Sequence, residues 1–470
     1  MAIISGSLDR KGAPNMRKVG RLVWAGSLVT LGVVHCSTAN LSSPMDATHS
    51  DASVSSDVTP RSDAPSNDGS EQGDGGAADG PDDVGDGSCR FDPGVDGAVR
   101  IYAADDPNIQ YFGRFDTANP AKPRFPASAT YVTAKFRGNS VSVKVSDEYR
   151  GGNSNFLDAF VDNLAPTKVT PAQLQVTFDV TPRNDAGGSL LPCGDHRITL
   201  VKRTEADMGY SEFRGFEFAE ILPADPPPAH KIEIIGDSIT CGAGVEASSV
   251  AAPECSQNGL GGPGYGQGIE NGDEAYGVIL ARALNAQWHV TCASGVGITR
   301  NYYNRYDSRT MPQLYPYLYP EDMANPTLWD PMHVIWVPDA IVIALGTNDF
   351  SRDGAPDGGV RPAMDILTLQ QGYIAFIDML KRYYPGVHFF LASSPILGNG
   401  YPGPADMQLN DHQTTIRNVV AYYAADAGVP VDAIMLPKVI GSGCGGHPGM
   451  QQQADAGNQM ARVIKTAMGW

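Results

Sequence analysis

Lys231-Ile-Glu-Ile-Ile-Gly-Asp-Ser-Ile-Thr-Cys-Gly-Ala-Gly244 is the stretch that decides the fold. Three isoleucines between Ile232 and Ile235 run into Gly236-Asp237-Ser238, and small residues follow. A β-branched run halted by glycine marks the end of a buried parallel strand. Ser238 then falls in the crevice at the strand's carboxyl edge, where open α/β sheets hold their ligands. On this stretch alone two readings stand: Ser238 as a nucleophile, or Asp237 and Ser238 as turn and helix-capping residues.

Outward from this strand the rhythm is strand, helix, strand. Candidate strands are Ile232 to Ile235, His289 to Ala293, Ala340 to Leu345, Val387 to Leu391 and Val431 to Met435. Helical patterns lie between and after them: Glu274 to Leu284, Met364 to Tyr383, His412 to Ala425 and Gln451 to Met468. Parallel strands need crossovers, so residues 231–470 are expected to form an α/β domain of about five parallel strands with helices on both faces.

Residues 89–222 read differently. Short alternating runs such as Ala129 to Phe136, Val141 to Val145, Ile198 to Val201 and Phe213 to Phe218 are separated by turn residues. This period of two predicts an antiparallel β-sandwich without a substantial helix. No catalytic constellation stands out in it. Residues 223–230, with Pro226-Pro-Pro228, read as a stiff linker between the two domains.

At 470 residues the chain is long enough for two cores. The formal net charge of -18 argues against nucleic acid as a partner, which would require a basic footprint. Residues 37–88 carry eleven acids and one base with almost no large apolar side chain, the composition of a disordered acidic tether. Met16-Arg-Lys-Val-Gly-Arg precedes a largely apolar run from Leu22 to Val34, too short to span a bilayer; residues 1–36 therefore read as a secretory signal. Cys36 follows Val33-Val-His35 as at a bacterial lipoprotein cleavage site, except that a small residue is expected where His35 stands. The mature chain is thus expected to be either released or anchored to a membrane through lipidated Cys36. Six further cysteines in an exported chain fit disulfides, with fifteen pairings open. Neither Cys-x-x-Cys nor His-Glu-x-x-His occurs, and no metal or organic cofactor is expected.

The loops after the strands carry the chemistry. The first strand ends in Gly236-Asp-Ser238, the second runs into Ser294-Gly-Val-Gly297, and the third into Gly346-Thr-Asn-Asp349. The last is followed by Gly441-Ser-Gly-Cys-Gly-Gly-His447. One edge of a parallel sheet would gather all four, and with them a hydroxyl, an imidazole and amide-type donors, the parts needed for acyl transfer. Ser238 needs a base, and His447 is the histidine in a glycine-rich loop behind a strand. Ser238 N–H, Gly295 N–H and the Asn348 side chain could stabilise an oxyanion, each worth about 3 kcal/mol of barrier.

These blocks resemble those of the SGNH (GDSL-type) hydrolases. More narrowly, Gly236-Asp-Ser-Ile-Thr-Cys-Gly-x-Gly, Ala293-Ser-Gly-x-Gly with Arg300-Asn-Tyr, Thr310-Met-Pro, Trp336-x-Pro-Asp, Gly346-Thr-Asn-Asp-Phe and Gly443-Cys-x-x-His-Pro resemble carbohydrate esterase family 2. The resemblance spans Gly97 to Trp470. It implies an amino-terminal jelly-roll sandwich and de-acetylation of plant cell-wall polysaccharides. It also implies Ser238 as nucleophile, His447 as base and then acid, and Gly295 and Asn348 in the oxyanion hole. Tyr302 and Trp336 are candidate sugar contacts, since aromatic surfaces suit pyranose rings. The chain departs from the family where Cys-Asp-aromatic-His is common: Gly445 and Gly446 stand at the middle positions, and Cys444 stands where the wider superfamily has its aspartate. A backbone carbonyl of the 441–446 loop would then have to orient the imidazole, giving a Ser-His dyad, which the resemblance to the family also supports. Two other readings compete: a carbohydrate-binding protein with a decayed esterase site, and a lipase of the same superfamily.

Overall fold

The computed structural model describes residues 91, 96–148, 150, 154–171, 176–247, 255, 268–329, 336–353, 359–425 and 428–470. The signal segment, the acidic stretch, Cys36 and Cys89 lie outside them.

Two antiparallel sheets come first, formed by β1 (Arg100–Ala103), β2 (Gln110–Phe112), β3 (Arg124–Phe125), β4 (Tyr131–Gly138), β5 (Ser142–Asp147), β6 (Leu157–Val161), β7 (Thr167–Val169), β8 (Thr177–Asp179), β9 (Gly194–Lys202), β10 (Ser211–Phe218) and β11 (Glu220–Leu222). One sheet has the order β1-β10-β5-β8 with β3 on β10, and the other β11-β4-β9-β6-β7 with β2 on β4. Alternation sets the core. Val132, Ala134 and Phe136 of β4 pack between the sheets with Val143, Val145, Phe213, Phe216 and Phe218. Tyr131 points the other way and joins the core of the second half.

That half holds β12 (His230–Gly236), β13 (Ala286–Cys292), β14 (Ala340–Ala344), β15 (His388–Ala392) and β16 (Val431–Ile434), all parallel in the order β13-β12-β14-β15-β16. The helices are α1 (Ser238–Cys241), α2 (Tyr276–Ala283), α3 (Met311–Leu314), α4 (Thr347–Phe350), α5 (Ile366–Tyr383), α6 (Gln408–Ala424) and α7 (Met450–Met468). Residues of α2 and α7 bury one sheet face, and those of α5 and α6 the other. In α5 the stripe Leu369, Tyr373, Phe376, Ile377 and Leu380 is buried, and Asp365 caps the helix by accepting from Thr368 N at 2.8 Å.

The β12 strand departs from its hydrophobic reading at one position. Glu233, 1% exposed, sits in the middle of β12 and pairs with Arg114 from the sandwich at 2.9 Å. Its carboxylate also accepts from Thr291 Oγ1 at 2.8 Å and Tyr315 Oη at 2.9 Å, while Arg114 donates to Tyr315 O at 2.7 Å. Nearby, Phe112, Tyr131 and Trp288 stack with centroids 4.6 and 4.2 Å apart, and Trp288 Nε1 donates to Ala129 O at 2.9 Å. The proline-rich connection is tied to both halves. Asp225 accepts from Lys135 at 2.9 Å and pairs with Arg197, and Gln287 Nε2 donates to Pro228 O at 2.5 Å.

Candidate active site

The β12 strand gives way at Gly236 to a single helical turn. Asp237 is its N-cap, accepting from Ile239 N at 3.0 Å, and Ser238 is its first residue, partly exposed at the carboxyl edge of the sheet. Capping and presentation of the hydroxyl are therefore neighbouring parts of one turn. Burial pushes the Asp237 carboxyl up to about 7 against the hydrogen bonds from Ile239 and Thr347 that oppose the rise.

His447 Nε2 lies 2.7 Å from Ser238 Oγ, although the two residues are 209 apart in sequence. Its Nδ1 lies 2.8 Å from Cys444 O, a carbonyl that also accepts from His447 N at 3.1 Å. With Nδ1–H donating to that carbonyl, Nε2 is left as the acceptor that a serine proton requires. Burial lowers the imidazole's pKa below its ordinary 6.5, and the Cys444 contact partly offsets this. Gly445 and Gly446, which replace the acid and the aromatic ring, have φ of 61° and 80°. Side chains seldom adopt such angles, so the tight turn that brings Cys444 O under the ring suits glycine at both positions. Cys444 is bonded to Cys255, which anchors the loop, and Cys241 at the end of α1 is bonded to Cys292 at the end of β13. Cys193 is disulfide-bonded as well.

Asn348 lies in α4, buried. Its Nδ2 donates to Val296 O at 2.9 Å and approaches Asp237 Oδ2 at 3.4 Å, so the amide nitrogen sits between the Ser238 turn and the loop after β13. The next residue, Asp349, is wholly buried and accepts from the backbone N–H groups of Ile298, Thr299 and Arg300 at 2.8, 2.7 and 3.1 Å, and from Thr299 Oγ1. It thereby locks the loop after β13 to α4.

Gly295 has φ of 79°, and a side chain there would meet Arg305 Cγ at 2.9 Å. Neither its N–H nor that of Ser238 has an acceptor among the described residues, which leaves both available to a developing oxyanion. Tyr302 N donates to Gly295 O at 2.7 Å, and the Tyr302 ring meets Tyr303 edge-on at 4.6 Å beside the same loop.

Trp336 is not brought to this place. It precedes β14, at the amino ends of the strands, where it stacks on His289 at 3.6 Å and donates to Gln287 Oε1 at 3.2 Å. The expectation that it contacts substrate is corrected on that ground: the opposite end of a strand separates it from Ser238. Sequence reasoning also missed Glu205, a buried acid in the turn after β9. It accepts from Ser294 N at 2.7 Å and from the Ser294 hydroxyl. Its only signal was an acid in a charged loop behind a strand, which ordinarily reads as a solvated turn.

A serine at the first turn after a parallel strand, with a histidine from the final loop and amide donors from two others, is the arrangement of GDSL-type acylhydrolases. The family model "GDSL-like Lipase/Acylhydrolase family" matches residues 234–459, and "Carbohydrate esterase 2 N-terminal" matches 111–228. A family two carbohydrate esterase from Clostridium thermocellum, solved in complex with cellohexaose, aligns at 30% identity over 77% of this chain and 99% of its own, with a TM-score of 0.62. The chain belongs to carbohydrate esterase family 2, and is with it a carboxylic ester hydrolase. It is also 31% identical over 374 residues to the cellulase/esterase CelE of Acetivibrio thermocellus, covering 78% of this chain but spanning only 40% of that protein's length. An acetylxylan esterase / glucomannan deacetylase of Cellvibrio japonicus is 28% identical, over 74% of this chain and 89% of its own.

Proposed function

We propose that this chain is a secreted serine esterase that removes O-acetyl groups from plant cell-wall polysaccharides of the xylan or glucomannan type, through a Ser238-His447 dyad. The observation that carries this reading is the 2.7 Å contact of Ser238 Oγ with an imidazole whose other nitrogen lies 2.8 Å from a backbone carbonyl. Ser238 Oγ attacks the acetyl carbonyl as its proton passes to His447 Nε2. The N–H groups of Ser238 and Gly295 take up the oxyanion, joined by the Asn348 amide N–H as it turns from its 3.4 Å contact with Asp237. The imidazolium then protonates the departing sugar hydroxyl, leaving an acetyl-serine. Water then attacks the acetyl carbon as its proton passes to the same nitrogen, and the imidazolium returns that proton to Ser238 Oγ as the acyl–serine bond breaks and acetate leaves. The carbonyl of Cys444 fixes the tautomer without carrying a charge, so it orients the ring as a triad carboxylate does but stabilises the imidazolium less.

The two Cellvibrio relatives named for acetylxylan and glucomannan, and the exposed rings of Tyr303 and Tyr401 near Tyr302, support the choice of substrate. The same reading takes residues 1–36 as a signal, 37–88 as an acidic tether, 89–222 as a jelly-roll sandwich, 223–230 as its connection and 231–470 as the hydrolase domain. It places the enzyme outside the cell, free or held by lipidated Cys36. A related family member is described as having an active site with divergent catalytic and non-catalytic binding functions, which favours carbohydrate binding as the second reading. Acetate release from acetylated xylan, glucomannan and cello-oligosaccharides, set against hydrolysis of long-chain esters, separates these. Binding without release would overturn the esterase reading, and a preference for long chains would turn it toward a lipase.

Two outcomes follow from the site. Asn348→Ala lowers kcat by roughly 10²- to 10³-fold with little change in KM, the loss of one oxyanion donor; an unchanged kcat would remove Asn348 from the hole. The pH dependence has a definite sign. His447 works as a base only when neutral, and burial lowers its pKa below 6.5. Activity therefore rises with pH through an inflection below 6.5 and is full at neutral pH. An acid limb above 6.5 would contradict this assignment of the base.

A further inference from the structure

We propose that the amino-terminal sandwich builds the oxyanion hole from behind: Glu205, with Asp207 and Arg305, positions the Gly295 peptide toward Ser238. This rests on the serine-esterase reading and adds positioning residues to it.

Ser294, the residue before Gly295, is gripped at three atoms. Its N–H donates to Glu205 Oε2 at 2.7 Å and its hydroxyl to Glu205 Oε1. Its carbonyl accepts from Arg305 Nε at 3.3 Å. That carbonyl belongs to the same planar trans peptide as the Gly295 N–H, and the two point to opposite sides. Holding the oxygen on Arg305 therefore turns the N–H away from it and leaves it to an oxyanion. Arg305 is in turn fixed by Asp207 at 2.9 Å, and its methylenes fill the space against Gly295 that a side chain would need.

Glu205 is itself held firmly. Its N–H donates to Glu270 Oε1 at 2.7 Å, and Lys202 Nζ donates to its carbonyl at 3.2 Å. It is 4% exposed, a costly place for a carboxyl group beside two other acids, Asp207 and Glu270. Burial and the charge of Asp207 raise its pKa to about 7, against the opposing charge of Arg305 and the hydrogen bonds from Ser294. A buried acid whose two oxygens both go to one residue of the oxyanion loop is placed to hold that loop.

The test compares Glu205→Ala, Glu205→Gln and Arg305→Met with the wild type, using 4-nitrophenyl acetate. Active sites are counted by titration with a fluorophosphonate, so that kcat refers to folded enzyme. Alanine removes both contacts to Ser294. Glutamine keeps both, because the serine hydroxyl can reverse and accept from the amide. Glu205→Ala and Arg305→Met are expected to lower kcat roughly 10- to 100-fold at unchanged KM, less than deleting a donor outright, with Glu205→Gln within about threefold of wild type. A loss confined to the number of titratable sites, or an equal loss in alanine and glutamine variants, would mark a purely structural acid and overturn the proposal. If Glu205→Ala does not fold, Arg305→Met decides on the same criterion. An inactive wild type would fell the esterase reading and this inference together. An active wild type lost in Ser238→Ala but unimpaired by Glu205→Ala and Arg305→Met would fell this inference alone.

Discussion

Ser238→Ala lowers kcat for acetyl-ester hydrolysis by roughly 10⁶-fold, His447→Ala by a similar factor, and the double variant by no more than either. The three losses coincide because the two side chains act as one unit. Without the imidazole the hydroxyl keeps its proton, and without the hydroxyl the imidazole has nothing to activate. What survives is the contribution of binding and of the oxyanion donors, roughly 10³- to 10⁴-fold over water. Both residues are only partly buried, so alanine at either leaves the fold in place. Single-turnover measurements with 4-nitrophenyl acetate check this. A His447→Ala variant that kept a tenth of wild-type activity would mean that some other group takes the serine proton, and the dyad would have to be abandoned.

Arg114→Met is expected to destabilise the protein by about 3–5 kcal/mol, although it touches no reacting group. Arg114 and Glu233 are 3% and 1% exposed at the side chain, and the pair bridges the sandwich to β12. Removing the cation leaves a carboxylate in the interior with Thr291 and Tyr315 as its side-chain donors among the described residues. Replacing both residues by apolar ones, Arg114→Met with Glu233→Leu, should recover much of the loss, because the desolvation cost of both charges is removed together. Urea unfolding of the two singles and the double completes the cycle. A loss below about 1 kcal/mol in Arg114→Met would show that water reaches Glu233 and that the pair is peripheral.

The parallel half of the fold was legible because its strands and helices announce themselves locally. The expected strand Ile232 to Ile235 is observed as His230–Gly236, and the closing helix from Gln451 begins at Met450. Periodicity and glycine stops mark such elements whatever surrounds them. From the same loops the sequence reading drew Ser238, Gly295, Asn348 and His447, and the fold brings them to one edge. The sandwich was harder. Gln110–Phe112 and Arg124–Phe125 are too short to alternate, and pairing with β4 and β10 makes them strands. Trp336 misled because an aromatic ring near motif residues carries no sign of which strand end it occupies. Glu233 and Glu205 were invisible for a related reason: the partners that make a buried acid tolerable, Arg114 and Ser294, lie 119 and 89 residues away.

The reach of the Cys255–Cys444 bond and of the Ser238–His447 contact, 189 and 209 residues, sets a timetable for the molecule. Closing loops of that span is slow, and neither can close until Cys444 and His447 have been synthesised. A chain halted before the loop that carries His447 holds a serine no more reactive than one in free solution. Hydrolytic competence therefore arrives only after the scaffold that displays the serine has been made.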